Sequence, residues 1–297
     1  MNHGMTGSMR ESAAVVAAVM LSVSVAVAQE WTPPRTPDGQ PDIQGTWVNF
    51  DPTPFETDGD LPRTQGTSPA PEFAGHESPE NERRRSMVVD PPDGRVRVRP
   101  WAEAKRDYDL ARVNDQPEHE TPWVRCITRG IPAGMFPAGY NNAYRIFQTH
   151  GLVVIYYEMI HEARLIPVDG SPHHSPAIRF WNGDPRGRWE GNTLVVETTN
   201  YNDKGSIATS AATGRMRGIP QSEALRVVER FTPMGPDRLR YEVTIEDPVV
   251  YEAPWTVRLP LNRDESYQMF EYSCHEANIS LANELSAGRA RDRGAKD

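Results

Sequence analysis

Short apolar–polar alternations dominate the second half of the chain. In Arg238-Leu239-Arg240-Tyr241-Glu242-Val243-Thr244-Ile245 the odd positions are apolar and the even ones polar. That period of two predicts a strand with one wet face. Similar runs rich in Val, Ile, Tyr and Phe cover 144–149, 152–159, 163–168, 194–199, 225–231, 255–261 and 267–272. Turn residues separate them: His150-Gly151, Glu190-Gly191-Asn192, Met234-Gly235-Pro236-Asp237 and Asn262-Arg263-Asp264-Glu265. Strands at this spacing predict an antiparallel meander, and about eight are enough to close a barrel. The run 152–157 is apolar throughout, so it is expected to be more deeply buried than its neighbours.

The first half reads differently. Residues 29–100 hold thirteen of the 27 prolines, so little of this stretch can be helix. It is expected to be a loop-rich arm lying on a core. Residues 42–49 are its first strand-like piece. Residues 86–90, the turn Pro91-Pro92-Asp93-Gly94 and residues 95–98 predict a hairpin. Residues 101–114 lack Gly and Pro and predict a helix. A second helix is predicted over 278–287, stopped by Gly288. The expected fold is therefore mainly β: an antiparallel barrel or strongly curved sheet, with a proline-rich N-terminal arm and one or two peripheral helices. The arm occupies 29–120 and the barrel with its terminal helix 121–297, as parts of one domain.

Composition adds an address. Residues 1–10 carry Arg10 and no acidic side chain, residues 12–27 are small and apolar, and Ala26-Val27-Ala28 closes the run. This order matches a cleaved signal peptide over 1–28. The apolar run is shorter than a membrane span, which needs about 20 residues. A periplasmic or secreted protein is expected, with no membrane association after cleavage. The net charge of −9 argues against nucleic acid as a partner. A small-molecule ligand or substrate is expected, without a cofactor. Cys126 and Cys274 are the two cysteines. In an oxidising compartment they are a candidate disulfide; the other reading is two buried thiols.

The densest polar cluster follows the most apolar strand. With a predicted hairpin tip at residues 160–162, Glu158, His161 and Arg164 share one mouth, and a histidine near a carboxylate can move protons near neutrality. Glu158 and His161 are the candidate proton carriers, with Asp184 to orient the histidine or an arginine. Arg164, Arg179 and Arg186 are candidates to hold an oxygen-rich substrate, with His173, Trp181 and Tyr144 beside them. The expected chemistry is metal-free acid–base catalysis, as a lyase, isomerase or hydrolase. A metal site at His161, His173 and His174 lacks the His-x-His or His-Glu-x-x-His spacing such sites use. Two rival readings are a non-catalytic barrel that binds an apolar or aromatic ligand, and a structural protein whose charges tie loops together.

The run Arg186-Gly187-Arg188-Trp189-Glu190-Gly191-Asn192-Thr193-Leu194-Val195-Val196-Glu197-Thr198-Thr199-Asn200 resembles the signature of a large, poorly characterised family of exported bacterial proteins. Other marks of that family are Pro37-Asp38-Gly39-Gln40-Pro41-Asp42-Ile43-Gln44-Gly45-Thr46-Trp47, Arg125-Cys126-Ile127-Thr128-Arg129-Gly130, and Cys274-His275-Glu276 followed by Asn278. The resemblance covers nearly the whole chain after residue 28 and implies one domain. It brings no shared reaction with it. The Gly45-Thr46-Trp47 opening is similar to that of lipocalin-type barrels, a resemblance of fold alone.

Overall fold

The structure is a computed structural model that describes residues 1, 31–51, 53–57, 84–276 and 278–294. Among these residues, ten strands form one antiparallel sheet. They are β1 (Gly45–Val48), β2 (Val88–Asp90), β3 (Ala143–Thr149), β4 (Leu152–Tyr157), β5 (Glu162–Pro167), β6 (Asp184–Glu190), β7 (Thr193–Thr199), β8 (Arg226–Gly235), β9 (Arg238–Glu246) and β10 (Trp255–Arg263). Nine of them run in the spatial order β5-β4-β3-β1-β10-β9-β8-β7-β6 and curl into a nearly closed barrel, while β2 pairs on β10. Two helices accompany it, α1 (Pro100–Leu110) and α2 (Ile279–Gly294). The signal-peptide expectation falls outside the described residues. No helix among the described residues is long and apolar enough to cross a membrane.

Alternation explains the core. Strand β9 buries Leu239, Tyr241, Val243 and Ile245 and turns the residues between them outward. Inward side chains from the other strands join one cluster, including Trp47, Ile146, Ile155, Leu194, Phe231 and Leu259, and Trp189 of β6 packs against it half-buried. The described residues from Thr32 onward pack as a single unit.

The barrel closes by side chains at one seam. Strands β5 and β6 end the sheet, and no ladder joins them among the described residues. Gly187 of β6 lets the two edges meet: a Cβ there would lie 2.9 Å from Ile166 and 2.7 Å from Val168. Inside, Arg164 of β5 reaches across to Thr198 of β7 (2.7 Å) and Glu229 of β8 (2.9 Å). Tyr241 donates to the same carboxylate at 3.0 Å. A buried charge is tolerated when it is paired and hydrogen-bonded in this way. Burial pulls Arg164 down, but Glu229, Tyr157 and Tyr201 together raise it above its ordinary range, so it stays charged.

Several expectations need correcting. Strand β1 does not lie on the core with the arm; it is a barrel strand between β3 and β10. The hairpin over 86–98 does not form, because β2 finds a longer partner in β10, with Val88 opposite Val257. Strand β4 buries one face only: Val153, Ile155 and Tyr157 point inward, and its other residues are half-exposed. Residues 267–272 form no strand. Residues 184–190, read as a polar cluster, form β6. Gly288 does not stop α2. It lies inside the helix, where a Cβ would come within 2.4 Å of the Asn114 carbonyl oxygen.

The two cysteines form a disulfide, Cys126–Cys274. It ties the loop before β3 to the segment after β10, beside the start of α2. Asn278 completes the join by donating to the Val124 carbonyl at 2.9 Å.

Candidate functional site

The structure separates the residues proposed as one acid–base mouth. Glu158 is fully buried, and its carboxylate accepts from the Tyr267 hydroxyl (2.9 Å) and the Phe270 amide (3.0 Å). His161 is exposed, and its Nδ1 sits 2.7 Å from the Tyr272 carbonyl. Ile160 and His161 both have positive φ (63° and 42°), which makes the β4–β5 connection a tight turn. That turn sends the two side chains to different partners in the same C-terminal segment. Arg164 points into the barrel, as described above. Tyr144 is also interior; burial pushes its hydroxyl up to about 12. Glu158, Arg164 and Tyr144 are interior and His161 lies at the surface, and the four line no common pocket among the described residues.

A second group does converge. Asp184, at the start of β6, accepts from the His174 amide (2.7 Å), faces Nδ1 of His174 (3.0 Å) and of His173 (3.2 Å), and takes an Arg186 N–H at 2.6 Å. Its own burial opposes ionisation, but the bonds from His174 and Arg186 outweigh that and lower its pKa. Arg186 also donates to the Pro172 carbonyl at 2.8 Å. The cluster fastens the 172–175 loop onto the sheet edge. Arg179 lies apart, donating to the Glu223 carbonyl at 3.0 Å. No cluster of three or more His, Cys, Asp or Glu side chains suited to a metal ion occurs among the described residues.

Trp181 leads to a different place. It lines a cleft of about 510 Å³ between α1, the 118–125 loop and the 203–206 loop. That volume suits a small-molecule ligand. Local structure fixes each wall. The 118–125 loop is anchored by the disulfide at its end. Ser206 is bridged to Pro220, and Gln221 donates to the Asn202 carbonyl at 2.9 Å. Gly205 packs closely there, and a Cβ would push the Gln221 amide, 2.6 Å away, out of place.

The floor of this cleft holds unsatisfied chemistry. Among the described residues, the hydroxyls of Thr121 and Ser206 are buried and have no hydrogen-bond partner. The two residues are only 5 % and 8 % exposed, and both line the cleft. Such orphaned groups cost about 1–3 kcal/mol each, so a buried hydroxyl left without a partner calls for an explanation. Beside them, Glu120 is raised above the ordinary carboxylate range, first by burial and then by the neighbouring Glu284 of α2. Each of the two carboxyls carries a buried Oε2 with no partner among the described residues. At the rim, Lys105 is paired with Asp109 at 2.7 Å, and Arg106 lies 2.6 Å from Asp107. Arg125, Lys204, Glu118 and Asp203 are the remaining charges.

Of the cleft residues, sequence reasoning singled out Trp181 alone. Glu120, Thr121, Lys204 and Ser206 come from loops with no shared period or motif, and Arg125 entered only as part of the 125–130 run. Burial in the folded chain marks Glu120, Thr121 and Ser206.

No family model and no curated protein matches the chain. One solved structure is similar over part of its length: a secretary abundant heat soluble (SAHS) protein from Ramazzottius varieornatus. The match has 8% sequence identity, covers 41% of this chain and 70% of that one, and has a TM-score of 0.24.

Proposed function

We propose that this is an exported small-molecule-binding protein whose ligand occupies the cleft beside the barrel. One observation carries the reading: Thr121 and Ser206 line a cavity of ligand size, and each carries a buried hydroxyl with no partner among the described residues. A ligand that supplies those partners offsets the cost of leaving them bare. Trp181 adds a broad aromatic wall, and such side chains dominate binding energetics. The apolar leader over 1–28 and the disulfide support an extracytoplasmic setting. The barrel serves as the rigid frame on which the loops of the site are mounted. Its own interior is lined with packed aromatic side chains and the Arg164–Glu229 pair.

The test is a metabolite-library screen by thermal shift on the full chain, repeated with Trp181→Ala and Ser206→Ala. The reading expects at least one stabilising compound whose effect both substitutions reduce. Hits indifferent to both would remove the cleft as the site.

Acid–base catalysis is the second reading, and one arrangement favours it: a buried carboxylate, Asp184, bonded to His174 and His173. A carboxylate that orients an imidazole is a recurrent catalytic device. In this reading the proton carrier is His174 or His173, with Asp184 and Arg186 as positioning residues, and Glu158 and His161 drop out. Turnover of a library compound that His174→Ala abolishes and Trp181→Ala leaves unchanged would favour it over the cleft.

A further inference from the structure

The chemistry of the cleft narrows its occupant, on the condition that the cleft is the ligand site. We propose that the ligand is a neutral, polyhydroxylated ring, that is, a saccharide.

Three features lead there. First, the orphaned groups are hydroxyls, each able to donate one hydrogen bond and accept others. A ligand hydroxyl matches both roles at once; a carboxylate or phosphate only accepts, and an ammonium only donates. Second, the cleft has no excess of either sign. With Lys105 and Arg106 already held by Asp109 and Asp107, the two remaining cations, Arg125 and Lys204, stand against Glu118 and Asp203. Glu120 lines the cleft as well, and an acidic group there offers nothing to an anion. Balanced charged groups at a rim still serve a polyol, because guanidinium and carboxylate groups bond hydroxyls from either side. Third, Trp181 gives a flat apolar surface beside this polar floor. A sugar ring presents the same pairing, with C–H faces and hydroxyl edges. An apolar or purely aromatic ligand would leave Thr121 and Ser206 bare.

The test is calorimetric and fluorescence titration of the full disulfide-bonded chain. The probes are neutral sugars (glucose, galactose, mannose, maltose and cellobiose), with glucuronate and benzoate as charged and aromatic controls. At least one neutral sugar is expected to bind saturably. Ser206→Ala and Thr121→Val are each expected to weaken it about fivefold to tenfold, and Trp181→Ala about tenfold or more. Circular dichroism checks that each variant folds, and Ser206→Ala, the smallest change, carries the test if Thr121→Val does not fold. If glucuronate or benzoate binds in a Trp181-dependent way and no neutral sugar does, the saccharide proposal is overturned and the cleft remains the site. If neither the panel nor any library compound depends on Trp181 or Ser206, both fall together.

Discussion

Arg164 on β5 and Glu229 on β8 form a buried ion pair across the barrel interior, with Nη1 2.9 Å from Oε1. The strands that carry them lie on opposite sides of the one seam the backbone does not close. The pair therefore does structural work that a ladder does elsewhere. Removing one partner leaves the other charge buried, which costs about 3–5 kcal/mol. Arg164→Leu and Glu229→Leu are each expected to lower stability by that order in urea denaturation. The double substitution is expected to recover much of the loss, since the uncompensated charge is gone.

Glu120 gives the chain a pH dependence of known sign. Its folded pKa is raised from 4.5 by burial and by Glu284. A carboxyl raised in the folded state stabilises fully below its unfolded value and loses that contribution as pH rises through the folded value. Glu120→Gln removes the titration. The variant is expected to melt higher than wild type at neutral pH, with the gap closing below 4.5. Melting curves across that range check it.

The Cys126–Cys274 disulfide closes a separation of 148 residues. Loop-closure entropy values such a link at roughly 4–5 kcal/mol. The Cys126→Ser, Cys274→Ser double variant is expected to lose stability of that order in oxidising buffer. It should match the wild type in reductant. Because the bridge anchors the 118–125 wall, ligand binding in the cleft is expected to weaken as well.

Glu158 and His161 are expected to part company in a substitution series. Glu158→Ala strips the acceptor from the Tyr267 hydroxyl and the Phe270 amide. The expected cost is about 1–3 kcal/mol, read by denaturation. His161→Ala gives up one exposed contact to the Tyr272 carbonyl, and is expected to change stability little. Neither is expected to change cleft affinity.

The strands were legible because alternation survives in the sequence: β9 and β10 each bury every second residue. Their neighbours were not, since pairing is set by distant segments. Nothing local in Val88–Asp90 says that it will choose β10 over residues 95–98. Strand β6 was hidden by the many charges along it, which an edge strand tolerates on its outer face. The proposed acid–base mouth misled for a related reason. Closeness along the chain put Glu158, His161 and Arg164 together, but the β4–β5 turn and the strand pleat send them to the C-terminal segment, the surface and the barrel interior. The cleft floor is the converse. Thr121 and Ser206 are 85 residues apart in sequence, unremarkable as types, and informative only once burial leaves them without partners.

The most direct test of the account is the dissociation constant of the best library ligand, measured by calorimetry on wild type, Trp181→Ala and His161→Ala. The account predicts that Trp181→Ala weakens binding about tenfold or more and that His161→Ala leaves it unchanged. Loss of binding in His161→Ala with full affinity in Trp181→Ala would contradict it.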